Sequence, residues 1–88
     1  MPKISIIMPC YNTGEYLHRS IPSCLNQTLQ DIEIICVNDG STDNTAEILQ
    51  KYADKDNRIK IITQENQGTL MARKRGMEHA IGEYCMFL

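Results

Sequence analysis

Hydrophobic residues gather in four short runs along the chain: Ile4 to Met8, Ile32 to Val37, Ile59 to Ile62 and Tyr84 to Leu88. Each is rich in strand formers and bounded by polar or turn residues, which predicts four strands. The runs are nearly continuous rather than alternating, so strands covered on both faces are expected. Between them the spacing turns helical. Leu17, Ile21, Cys24 and Leu25 fall on one helix face, and Ile48, Leu49, Tyr52 and Ala53 on another. Asn44 precedes Glu47 as in a capping box, with Asn as the cap. A third helix is expected from about Thr69 to Ile81, with Leu70, Arg73, Met77 and Ile81 in one line and Gly82 as its stop.

The predicted order is β-α-β-α-β-α-β. Strands joined by helix-length crossovers run parallel, so the fold class is α/β, a doubly wound and mostly parallel sheet with helices on its faces. Pro22 sits in the middle of the first helix and removes a backbone donor there. A kink is expected, or a helix whose ordered part begins near Ser20. The stretch Asp54-Lys55-Asp56-Asn57 is read as a loop with solvated charges.

Composition narrows the class without naming a function. The 88 residues, 42% hydrophobic and 23% charged, suit one small globular domain and exclude a disordered tail. Nine Lys and Arg against eleven Asp and Glu leave a net charge of −2, so nucleic acid is not an expected partner. No signal peptide or membrane-length apolar stretch is seen. Cys10, Cys24, Cys36 and Cys85 form no CxxC pair, and reduced, largely buried thiols in a cytoplasmic protein are expected rather than zinc or disulfides.

In an open parallel sheet, ligands bind beyond the carboxyl ends of the strands, where strand order reverses. After the first strand come Pro9, Cys10, Tyr11, Asn12, Thr13 and Gly14. Tyr11 offers a face for stacking on a base; alternatively it closes the core edge while Asn12 or Thr13 caps the helix. After the second strand, Asp39 can accept from a base N–H or a ribose hydroxyl, or Asp39-Gly40 can be a turn feeding a helix cap through Ser41, Thr42 and Asp43. After the third, Gly68 allows a tight turn into a helix whose Arg73, Lys74 and Arg75 either reach a diphosphate or form a solvated face. The fingerprints GxGxxG and GxxxxGK[ST] are absent. His18 and His79 stand apart on separate helices, which suits surface or interface roles rather than catalysis.

Together these segments are more specific than any one of them. Ile4-Ser5-Ile6-Ile7-Met8-Pro9-Cys10-Tyr11-Asn12, Leu25-Asn26-Gln27-Thr28 and Asn38-Asp39-Gly40-Ser41-Thr42-Asp43 resemble a family 2 glycosyltransferase of the GT-A fold. Asn66-Gln67-Gly68, Ala72-Arg73 with Gly76, and Gly82-Glu83-Tyr84 with Phe87-Leu88 continue the likeness over essentially the whole chain, with Lys74 standing where the family commonly has Asn. The resemblance implies the Rossmann-like, nucleotide-sugar-binding N-terminal half of such a fold and a donor that is usually a UDP-sugar. It places Pro9, Tyr11 and Asn12 along the nucleotide, Asp39 at the base, and Gly68 and Arg73 beside the donor, with Cys10 and Gly40 also counted in the nucleotide-sugar site. It also implies a divalent metal, Mn or Mg, held by an acidic DxD-type motif expected just after Leu88, so its ligands and the catalytic base are not among residues 1–88. No catalytic residue is therefore assigned. The expectation is one partial domain, inactive alone, with unknown acceptor, self-association through the exposed last strand, and a place in the cytoplasm or at the membrane face. The competing class is a non-catalytic α/β nucleotide-binding or interaction module. A phospho-receiver domain is set aside, because Thr63 and Gln64 stand where its phosphorylatable Asp would be needed.

Overall fold

The computed structural model describes residues 2–26 and 31–88. Gln27 and Thr28 of the Leu25-Asn26-Gln27-Thr28 motif lie outside the described residues. The chain runs β1 (Ile4–Cys10), α1 (Gly14–Leu25), β2 (Ile32–Asp39), α2 (Thr45–Lys55), β3 (Ile59–Gln64), α3 (Thr69–His79) and β4 (Tyr84–Phe87). All pairings are parallel and the strand order is β3-β2-β1-β4. Winding reverses after β3, when α3 carries the chain back past β2 and β1 to the far side of β1.

The two faces are built differently. Ile6, Met8, Cys10, Ile32, Ile34 and Cys36 project from the central strands onto Leu17, Ile21 and Cys24 of α1 and Ile48 and Leu49 of α2. Large branched side chains fill that layer, and the helical stripes read from the sequence are the faces that make it. On the other side, Ile35 and Val37 meet Ala72 of α3. Here helix and sheet approach so closely that a Cβ at Gly76 would lie 2.5 Å from Ile7 Cγ2. Ala72 and Gly76, four residues apart, are the buried positions of α3. The predicted line of Leu70, Met77 and Ile81 is therefore corrected: these residues are 79%, 51% and 49% exposed. A close contact selects small residues, which a search for large apolar ones overlooks.

Several other expectations change. Helix α1 begins at Gly14 rather than near Ser20; Thr13 O accepts the Tyr16 and Leu17 N–H groups at 2.9 and 3.2 Å, and Asn26 N–H donates to Pro22 O at 3.0 Å. Packing of Leu17, Ile21 and Cys24 outweighs the one donor that Pro22 lacks. Asn44 holds the cap position of α2 without a side-chain cap bond, because its amide lies against Gly14. Helix α3 ends at His79, and Gly82 instead donates its N–H to Ser5 Oγ at 2.9 Å. Asp54 and Lys55 belong to the last turn of α2, and Asp56 pairs with Arg58 through Nε at 3.1 Å and Nη2 at 2.9 Å. Burial on both faces holds for β2; β3 is partly open, and β4 is exposed along its length. No described helix is long and apolar enough to cross a membrane.

Candidate functional site

Three loops leave the carboxyl ends of β1, β2 and β3, and hydrogen bonds join them into one surface. The first two are stitched by Asn12. This residue takes the left-handed conformation, with φ +52°, and its Oδ1 accepts the N–H groups of Thr42 at 2.8 Å and Asp43 at 3.3 Å. Its own N–H donates to Ser41 Oγ at 3.1 Å. Asn38 Oδ1 accepts Ser41 N–H at 3.1 Å, closing the turn from its inner side. Asp43 accepts Gly14 N–H at 3.3 Å and, on its other oxygen, Thr45 N–H at 2.9 Å and the Thr45 hydroxyl. The Thr45 hydroxyl is the main donor holding the Asp43 carboxyl below its usual range. Thus the entries of α1 and α2 satisfy each other, and Asn12 caps neither helix in the ordinary way.

The second and third loops meet at Asp39. Asp39 is 4% exposed, and its Oδ1 accepts Gln64 Nε2 at 2.9 Å and Gln67 N–H at 2.8 Å. Oδ2 accepts Gly68 N–H at 3.0 Å. Burial pushes this carboxyl up, but the Gln64 amide and the two backbone donors outweigh it and hold the group below its ordinary value. Gly40, at φ +68°, lets the third loop come close, since a Cβ there would stand 2.6 Å from Asn66 N. Asp39, Gly40 and Gly68 therefore form one cluster.

The remaining predicted residues divide. Tyr11 is 50% exposed beside the loop surface, as a stacking face requires. Pro9 is half-buried within β1, opposite Val37. Cys10 turns its thiol into the core towards Met8 O, 3.3 Å away, so only its backbone reaches the edge, where its carbonyl accepts from Ser41 Oγ at 3.4 Å. Arg73 is not brought to Asp39; its guanidinium lies over the Phe87 ring of β4, 5.5 Å from the centroid. His18 bonds Tyr52 OH at 2.9 Å between α1 and α2, an interface role as expected. Cys10, Cys24 and Cys36 are buried free thiols, whereas Cys85 is exposed. Cys10 beside it, together with burial, pushes the Cys36 thiol up, so it stays protonated and inert.

Gln64 and Glu33 carry weight that the sequence reading missed. Gln64 is the last residue of β3, directly opposite Asp39 in register. Glu33 interrupts the apolar run of β2, and a carboxylate in such a run signals a paired buried group. It accepts Ser5 Oγ at 2.5 Å, Lys60 Nζ at 2.6 Å and Ile81 N–H at 2.7 Å, at the end of the sheet away from the loops.

Among the described residues no three His, Cys, Asp or Glu side chains converge as a metal-binding group. The residues present therefore assemble no ligand set for the divalent metal that the resemblance implies.

The model of glycosyl transferase family 2 matches residues 5–88. A glycosyltransferase of Haemophilus influenzae is 53% identical over all of this chain, which spans 36% of that relative. Structures of S. aureus TarS 1–349 in complex with UDP and with UDP-GlcNAc superpose with a TM-score of 0.89 at 31% identity, covering 98% of this chain and 26% of the TarS 1–349 chain. A Pyrobaculum calidifontis mannosyltransferase in complex with GDP-Man and Mn2+ shares the fold, with a TM-score of 0.85 at 23% identity over 93% of this chain and 25% of its own. The chain belongs to glycosyl transferase family 2, and its fold is that of the N-terminal part of GT-A enzymes.

Proposed function

We propose that this member of glycosyl transferase family 2 binds the nucleotide of a sugar donor at the carboxyl edge of β1, β2 and β3. Tyr11 stacks on the base, Asp39 accepts from it, and the Gly68 turn flanks the diphosphate. The observation that carries this reading is the Asp39 cluster: a buried carboxylate at the carboxyl end of β2, with no cation bonded to it among the described residues. A UDP-sugar is the donor we favour, supported by the likeness to TarS, whose complexes hold UDP and UDP-GlcNAc. Pro9 and Asn12 act through the backbone they hold, and Arg73, whose guanidinium lies over Phe87, flanks the donor from α3. A divalent metal belongs to this reading of the whole enzyme, as the Mn2+ complex of the mannosyltransferase suggests, with ligands outside the described residues.

Titration with UDP, against ADP, followed by amide NMR tests the site. Saturable UDP binding that moves Tyr11, Asp39 and Gly68 is expected, without sugar transfer by this chain alone. Failure to bind any nucleotide would overturn the proposal. A cytoplasmic location, where buried thiols stay reduced, goes with it. Self-association through the open edge of β4 belongs to the same proposal, and a monomer at every concentration in sedimentation would refute it.

A further inference from the structure

We propose, on the footing of the donor-site reading above, that Gln64 is a base-specificity residue, forming with Asp39 an acceptor–donor pair that selects bases carrying an N–H beside a C=O. Both residues end their strands, face each other in register, and lie on the sheet face that carries α3. A carboxylate offers about four acceptor positions. Oδ1 of Asp39 has two filled and Oδ2 has one filled, so Oδ2 keeps an acceptor for a ligand. An ionised carboxylate only accepts, which orients the Gln64 amide with Nε2 towards Asp39. One of the two Nε2 hydrogens is used in that bond at 2.9 Å, and the other remains. By this count one acceptor position of Asp39 and one donor hydrogen of Gln64 are left unfilled side by side at the paired ends of β2 and β3.

Uracil matches that pattern with N3–H donating to Asp39 and O4 accepting from Gln64; the N1–H and O6 of guanine match it equally. Cytosine and adenine present the reverse, a ring nitrogen acceptor beside an amino donor. Either would set its lone pair against the carboxylate and its N–H2 against the Gln64 amide. A buried polar pair left facing the wrong groups discriminates strongly.

Calorimetric titrations of the chain with UDP and CDP, repeated on Gln64→Met, test the assignment. The wild type is expected to prefer UDP by about a hundredfold, and the variant to lose about tenfold of that preference, the equivalent of one hydrogen bond. The Gln67 and Gly68 amide resonances, which report the Asp39 latch, should stay in place. Equal weakening of UDP and CDP would make Gln64 a support of the loop and overturn the proposal. Equal binding of both nucleotides by the wild type would overturn it while leaving the donor site standing. Absence of all nucleotide binding would remove the donor site itself. Should Gln64→Met fail to fold, 4-thio-UDP probes the same contact in the unaltered chain. Its sulfur accepts poorly, so about fivefold weaker binding than UDP is expected, and equal affinity would overturn the assignment.

Discussion

Strand β2 carries two buried carboxylates, Glu33 near its start and Asp39 at its end, and they are used in opposite ways. Each lies on the face of α3 and accepts backbone N–H groups from a loop flanking that helix: Ile81 at the exit for Glu33, Gln67 and Gly68 at the entry for Asp39. Together they hold both ends of a helix that buries only Ala72 and Gly76 against the sheet. The difference lies in the neighbouring strand. Opposite the Glu33 end stands Lys60, whose ammonium neutralises the carboxylate at 2.6 Å; opposite Asp39 stands Gln64, a neutral amide. The first carboxylate is sealed as a structural part. The second keeps its charge and an acceptor at the edge where ligands bind. A cation, more than burial or bond count, separates the structural carboxylate from the one that the proposed donor site uses.

The comparison can be broken most forcefully at Glu33. Glu33→Ala strands Ser5, Lys60 and the Ile81 N–H together, and should destabilise the fold by about 3 kcal/mol, read in urea unfolding. A loss below about 1 kcal/mol would show that the network is not structural. Asp39→Ala should cost less stability, about 2 kcal/mol, because its partners are neutral and near solvent, yet it should abolish UDP binding while Glu33 variants that fold retain it. If Asp39→Ala bound UDP normally, the functional half of the contrast would fail.

Acid sharpens the same contrast. Burial pushes the Glu33 carboxyl up, but the Ile81 N–H, Lys60 and Ser5 outweigh it, so this group, like Asp39, sits below its ordinary range. A lowered native value means the stabilisation is fully present above the unfolded-state values near about pH 4 and is lost as pH falls through the native ones. Unfolding free energy should therefore hold level from neutral pH to about 4.5 and then decline. The decline should be shallower in Glu33→Gln; an identical slope would show that Glu33 contributes none of it.

Smaller effects come from exchanging the partners. Lys60→Gln gives Glu33 the kind of neighbour Asp39 has, and because Lys60 is 47% exposed the loss should stay below about 1 kcal/mol. Gln64→Lys gives Asp39 a cation. Thermal unfolding should shift by no more than about 0.5 kcal/mol, while UDP affinity drops clearly. Unchanged affinity would mean that the neutrality of Gln64 has no bearing on the ligand.

Much of this architecture was legible along the chain because strong periodic signals are local. The Ile runs mark the strands, and the Leu17-Ile21-Cys24 and Ile48-Leu49 stripes mark the helix faces that pack on them. The α3 face was not legible, because a close approach is recorded only as Ala72 and Gly76, residues also common on open surfaces. Nor was the Asn12 latch, since its partners lie about 30 residues away in Thr42 and Asp43. Glu33 carried a visible signal, a charge inside an apolar run, that pattern reading passes over when it counts only the apolar positions.

The sequence by itself determined the α/β order, the parallel sheet and the family, because each rests on local pattern or on motifs in fixed order. Tertiary structure decided which buried carboxylate is paired with a cation and which is held by neutral donors alone. That choice depends on register and charge across strands: Lys60 comes to Glu33 and Gln64 to Asp39 only when β2 and β3 pair. The same pairing brings the third loop to Asp39, so a buried charge is held by neutral donors alone and stays able to receive one more.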